Sequence, residues 1–146
     1  LTGHENLRFF GRMFGLADLD RRIAAAVERM GISTRLHHRI GTLSHGMKKR
    51  FSIARALLHD PVILLMDEPE SGLDQEALAM LYDIVTAGSS PPLTVLMTTH
   101  NLERGLALGH RTAILVNGRI VFQESLDVVD SAAVRDAYMR HTDSGR

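Results

Sequence analysis

Asp67 and Glu68 stand side by side at the end of the apolar run 62–66 and directly before Pro69. A hard divalent cation takes oxygen ligands, often through water, and a carboxylate beside it is placed to accept a proton. The pair therefore suits magnesium bound together with a phosphate substrate. It equally suits a plainer role, with Asp67 capping the turn that follows and Glu68 as a solvated loop charge. A second stretch, LSHGMKKR at 43–50, sets Ser44 and Gly46 ahead of three cations, Lys48, Lys49 and Arg50. Cations at a helix start oppose the macrodipole. They are compatible with it if that start faces an anion, because free N–H groups, a serine hydroxyl and basic side chains then attract one phosphate. The alternative is a serine N-cap with lysines turned to water. His100, at the end of the apolar run TVLMTT, is the third candidate.

The elements that must position these residues follow from periodicity. Thr2 and Glu5 form a T-x-x-E capping box, predicting a helix with Leu7, Phe10, Met13 and Phe14 on one face and Gly15 as its stop. A second helical pattern runs from Leu19 through Ile23 and Val27 to Met30, ended by Gly31. A third passes through Met47, Phe51, Ala54, Leu57 and Leu58 and stops at Asp60-Pro61. The runs 62–66 and 94–99 read as strands buried on both faces, as in a parallel sheet, with a helix over 75–86 and the turn GSSPP between them. AILV and RIVF flank Asn117-Gly118, whose tolerance of positive φ predicts a hairpin. A last helix is expected over 132–139, with HTDSGR as a frayed tail. In an open α/β sheet the ligand crevice lies beyond the carboxyl ends of the strands, where Asp67, Glu68 and His100 fall.

Composition narrows the classes. A chain of 146 residues, 45% apolar, is about one domain and buries roughly two thirds of its unfolded surface. Lys plus Arg and Asp plus Glu both number 17, so no overall field points to nucleic acid, and anion recognition must be local. Without cysteine there are neither disulfides nor thiolate metal sites. No apolar run reaches the roughly 18 residues of a membrane span.

In order and spacing, LSHGMKKR, ARALLHDPVILLMDEP, SGLD and TTH resemble the nucleotide-binding subunit of ATP-binding cassette (ABC) transporters, and ENLRFFGRMFGL resembles the start of that family's helical subdomain. The resemblance implies a partial P-loop NTPase fold, α/β, with a helical subdomain followed by the carboxyl-side part of the parallel-sheet core and a β-hairpin. It divides the single partial domain 1–146 into a helical subdomain with signature helix (1–58), a core (62–123) and a C-terminal helix and tail (124–146). It assigns Leu43, Ser44, His45, Gly46 and Met47 to the signature motif, which closes over ATP held by a second subunit. Asp67 would help hold Mg²⁺, Glu68 would act as general base, and His100 would contact the γ-phosphate. Ser71, Gly72, Leu73 and Asp74 would form the D-loop at the dimer interface. The implied partners are transmembrane permease subunits and a second ATP-binding subunit, identical or different, and no nucleic acid. The implied place is the cytoplasmic side of the plasma membrane, held peripherally.

The sequence also departs from the family pattern. G-x-x-x-x-G-K-[ST] is absent, as is the Q-loop glutamine, and the first residue is Leu. The chain is therefore expected to be the carboxyl-side portion of a longer ATPase, inactive alone. His45 replaces a common glycine and Met47 a common glutamine; the L-S-x-G-M form resembles a subset of export-type ATPases. Glu70 takes a usually small position and is expected to point to water. His37 and His38 are expected in a solvated loop, and the methionines at 30, 66, 80 and 97 as core filler. Phe9, Phe10, Phe14 and Leu16 are expected mainly in the core, although an apolar surplus there would suit the family's membrane-partner groove. The competing readings are a soluble ABC-type ATPase, a non-enzymatic interaction module, and a hydrolase using metal at Asp67, Glu68 and His100 without nucleotide.

Overall fold

The computed structural model describes residues 1–86 and 93–142 and divides into two compact units, Leu1–Thr98 and Thr99–Arg146. The GSSPP turn and residues 143–146 of the tail lie outside the described residues.

The first unit runs α1 (Gly3–Met13), α2 (Leu19–Arg29), α3 (His45–Leu57), β1 (Ile63–Asp67), α4 (Gln75–Thr86) and β2 (Thr94–Thr98), with short 3₁₀ turns at Ser33–Arg35 and Ile40–Thr42. The capping box forms as its sequence requires: the Thr2 hydroxyl accepts from the Glu5 N–H, and the Glu5 carboxylate accepts from the Thr2 N–H. The core joins Leu7 of α1, Ile23 and Val27 of α2, Phe51, Ala54 and Leu57 of α3 and Leu64 of β1 to Leu81 and Ile84 of α4. Met30 is fully buried beneath it, while Met66 is partly buried against it.

Burial on α1 differs from the expectation. The covered stripe is Gly3, Leu7 and Gly11; Phe9, Met13 and Phe14 are exposed, and Phe10 is half-buried under the Arg55 guanidinium, 4.4 Å from its ring centroid. The two glycines let α1 approach its neighbours where a side chain would not fit. A Cβ on Gly3 would lie 2.4 Å from the Phe51 ring and 2.9 Å from the Leu36 carbonyl oxygen, and one on Gly11 would lie 2.1 Å from a Leu19 methyl. The hydrophobic pattern placed Leu7 correctly but set Met13 and Phe14 on the covered face in place of Gly3 and Gly11, because glycine carries no apolar signal.

β1 and β2 pair in parallel, with Leu64 opposite Val95 and Asp67 opposite Thr98. Neither strand is buried on both faces as expected. Leu64, Met66 and Val95 pack on the core and Met97 is partly covered, while Ile63, Leu65 and Leu96 are exposed on the opposite face. Among the described residues this sheet has two strands, and nothing covers its second face.

The second unit contains α5 (Leu102–Leu108), the antiparallel pair β3 (Arg111–Val116) and β4 (Arg119–Ser125), and α6 (Ser131–Thr142). Asn117 and Gly118 both have positive φ, the twist a two-residue hairpin needs. α5, which the periodicity did not indicate, starts where the Asn101 side chain accepts the Arg104 N–H. Arg135 of α6 grips Glu103 of α5 with two parallel bonds of 2.7 and 2.8 Å, which holds the Glu103 carboxyl below its ordinary range.

Because the Phe51 ring and a backbone oxygen crowd Gly3 together, Gly3→Ala is expected to destabilise the first unit by about 1–3 kcal/mol. Urea unfolding followed by circular dichroism measures this; an unchanged midpoint would show that α1 can shift freely.

Candidate functional site

Asp67 ends β1, and the chain turns sharply after it. Glu68 adopts φ +40°, a left-handed conformation that costs an ordinary side chain about 1–2 kcal/mol. Its N–H donates to the Thr98 carbonyl oxygen at 3.2 Å and to the Thr98 hydroxyl oxygen at 3.1 Å. The same hydroxyl donates to Asp67 Oδ1. Thr98 thus fixes both acidic residues from the end of the neighbouring strand, a consequence of the register that sets it opposite Asp67. Both carboxylate residues are exposed.

Pro69 and Glu70 are buried in the turn, so Glu70 does not point to water as expected. Its backbone oxygen accepts the Leu73 N–H at 3.2 Å, and the Ser71 N–H donates to the Glu68 oxygen at 3.1 Å. Gly72 follows with φ +75°. A Cβ there would come within 2.7 Å of the His45 ring, while one on Gly46 would lie 3.0 Å from the Gly72 oxygen. The expected signature residues His45 and Gly46 therefore lie directly against Gly72 in the same chain.

Ser44 is the N-cap of α3, its hydroxyl accepting from the Met47 N–H at 3.2 Å, and Leu43 is buried behind it. The first-turn amides of such a helix have no intrahelical acceptors. Two of the three basic residues after them, Lys49 and Arg50, bind groups of the chain itself. Arg50 is buried, and its Nη2 donates to Asp74 Oδ1 at 2.6 Å and to Glu76 at 3.3 Å, while Nη1 reaches the Met30 oxygen at 3.3 Å. Lys49 Nζ donates to the backbone oxygens of Glu68 (2.7 Å) and Ser71 (3.0 Å). Both cations hold the loop between β1 and α4. Contacts across 19 to 26 positions in the chain leave no periodic trace, so the sequence signalled the charges but not their partners.

Asp74 also caps α4, its Oδ1 accepting the Ala77 N–H at 2.9 Å. That bond first, and the Arg50 guanidinium second, hold its carboxyl below the ordinary range. His100 belongs to the second unit, where it is exposed just before the cap of α5. His37 and His38 are exposed, His38 within 3.4 Å of Arg35. Among the described residues no three His, Asp or Glu groups converge as a metal site. Asp67 nevertheless suits a magnesium ion that keeps most of its water: Oδ1 is used by Thr98, while no protein hydrogen bond involves Oδ2 among the described residues.

Residues 1–71 match the family described as ABC transporter. The chain is 36% identical over 130 residues to the Nod factor export ATP-binding protein I of Cupriavidus pinatubonensis, covering 87% of this chain and 40% of that protein. It is 37% identical over 123 residues to the linearmycin resistance ATP-binding protein of Bacillus subtilis, covering 83% of this chain and 40% of that one. With the fluoroquinolones export ATP-binding protein of Mycobacterium tuberculosis the identity is 39% over 126 residues, covering 86% and 41%. A solved structure of the ATP binding subunit of an ABC transporter superposes with a TM-score of 0.86 at 27% identity, over 97% of this chain and 62% of the other. The fold is thus part of the α/β P-loop NTPase fold of ABC ATP-binding subunits. Over most of its length the chain is similar to ATP-binding subunits of ABC transporters. It spans about two fifths of the length of the three relatives.

The lowered pKa of Asp74 fixes the sign of one pH effect. A carboxyl whose folded value lies below its unfolded value, near about 4, contributes all its stability above that unfolded value. The contribution is lost as pH falls through the folded value. Asp74→Asn removes both the charge and this dependence, so the stability gap between wild type and variant is expected to be full near about pH 6 and to close in acid. Unfolding free energies measured across that range test it; a constant gap would show that the Arg50 contact does not depend on the charge.

Proposed function

We propose that this chain serves in an ATP-binding, ATP-hydrolysing subunit of an ABC transporter, of export type, that drives a membrane permease by nucleotide-dependent pairing with a second ATP-binding subunit. The observation that carries the reading is the turn at Asp67-Glu68, an exposed acidic pair at a parallel-strand end, where Thr98 binds the Asp67 carboxylate and the Glu68 backbone N–H. In this reading Asp67 holds Mg²⁺ through water by its Oδ2. Glu68 takes the proton of the attacking water, and His100 contacts the γ-phosphate. Ser44, His45, Gly46 and Met47, behind Leu43, present the start of α3 to a nucleotide bound by the partner subunit. Ser71, Gly72, Leu73 and Asp74 face that partner as the D-loop. Phosphoryl transfer depends mainly on positioning and charge neutralisation, which exposed groups on a braced turn supply.

Export fits two of the three relatives described above, whose names give them as export ATP-binding proteins. No helix of the described residues is long and apolar enough to cross a membrane. In this reading the coupling to a bilayer runs through permease subunits, on the cytoplasmic side.

In the full-length protein, Glu68→Gln is expected to lower magnesium-dependent ATP turnover by about 10²- to 10⁴-fold, with nucleotide binding retained. Turnover near wild type would overturn the assignment. The 146-residue polypeptide by itself lacks the G-x-x-x-x-G-K-[ST] cradle and is expected to show no turnover. Hydrolysis by that polypeptide, abolished by Glu68→Gln, would require a different phosphate site.

A further inference from the structure

Glu68 carries a backbone conformation that its side chain disfavours, and such residues persist only where their surroundings hold them. On its amide side, Thr98 accepts the N–H twice over, with its backbone and hydroxyl oxygens. On its carbonyl side, Lys49 Nζ lies 2.7 Å from the Glu68 oxygen and 3.0 Å from the Ser71 oxygen. The ammonium thus draws together two carbonyls three residues apart. It is a charge-assisted bond, stronger than a neutral one. Lys49 stands on α3, two positions beyond the signature stretch that ends at Met47.

We infer that Lys49 is a positioning residue for Glu68: it holds the left-handed turn that aims the carboxylate, and it ties that turn to the helix whose start is read as the partner-facing nucleotide contact. The inference rests on the proposed role of Glu68 as base. A movement of α3 as it meets a nucleotide in the partner subunit would then reach the Glu68 turn of the same chain through one side-chain bridge. Lys49 touches no reacting atom in this scheme. Its loss should leave nucleotide affinity in place and misplace the base.

The test is steady-state ATPase of the full-length protein with Lys49→Met, Lys49→Gln, Lys49→Arg and Glu68→Gln, each checked for an unchanged melting profile. Lys49→Met removes all donors and is expected to lower kcat about 10- to 100-fold, the scale of a misplaced catalytic group, with KM for magnesium ATP within about twofold. Lys49→Arg should recover most of kcat by supplying two N–H donors, and Lys49→Gln, with a shorter neutral amide, should fall between. This graded order at constant KM separates positioning from general damage. Should Lys49→Met prove unfolded, the Gln and Arg variants carry the same comparison. If Glu68→Gln is inactive while every Lys49 variant turns over normally, the Lys49 inference alone is overturned. If Glu68→Gln is active, the base assignment fails and this inference with it. Loss confined to KM would also overturn the inference.

Discussion

A guanidinium with almost no access to water organises the first unit. Arg50 leaves the middle of α3 and meets the end of α2 at the Met30 carbonyl and the start of α4 at Asp74 and Glu76. A buried cation is tolerated only when its donors are satisfied, and here the satisfying groups come from two segments well apart in the chain. Gly31 completes the arrangement. Its φ of +61° turns the chain out of α2, and a Cβ there would lie 2.7 Å from the Met80 methyl and 3.2 Å from Arg50 Nη1. The acceptor end of α2, the capped start of α4 and the middle of α3 are therefore fixed by one planar side chain. A lysine offers a point charge in place of that fork and could not reproduce the arrangement.

This junction gives the loop between β1 and α4 its shape. Arg50 holds the loop's far end at Asp74, Thr98 and Lys49 hold its near end at Glu68, and the apex at Gly72 rests against His45. Every one of these attachments leads back to α3 or to the tip of β2. The imidazole at position 45, unusual for the family, thus covers the apex of a loop in its own chain, and Gly72 is the residue that leaves room for it.

Much of this was legible in the residues, for reasons that differ by element. The start of α1 was visible because a capping box is local, the hairpin because Asn-Gly at 117 and 118 suits one backbone twist, and α4 because its apolar spacing is regular. The acidic pair was legible because a short apolar run must end at a sheet edge. The buried face of α1 was not, since close packing on Gly3 and Gly11 is the absence of a side chain. Strand burial was overestimated because an apolar run reports what could be covered, whereas coverage depends on neighbours. The short α5 rests on one asparagine cap over seven residues, too little for periodicity. The burial of Glu70 and the partners of Lys49 and Arg50 depend on groups brought together by folding, and no local pattern encodes them.

The open side of the β1–β2 sheet has a bearing on how this polypeptide behaves in a tube. Ile63, Leu65 and Leu96, with Val62 beside them, are each more than half exposed on strands that both have an unpaired edge among the described residues. A flat apolar face with free backbone donors and acceptors at its margin is a template for adding further strands. A solution of the 146-residue chain alone will consequently be governed by colloidal self-association, and its near-zero net charge supplies little repulsion to oppose it.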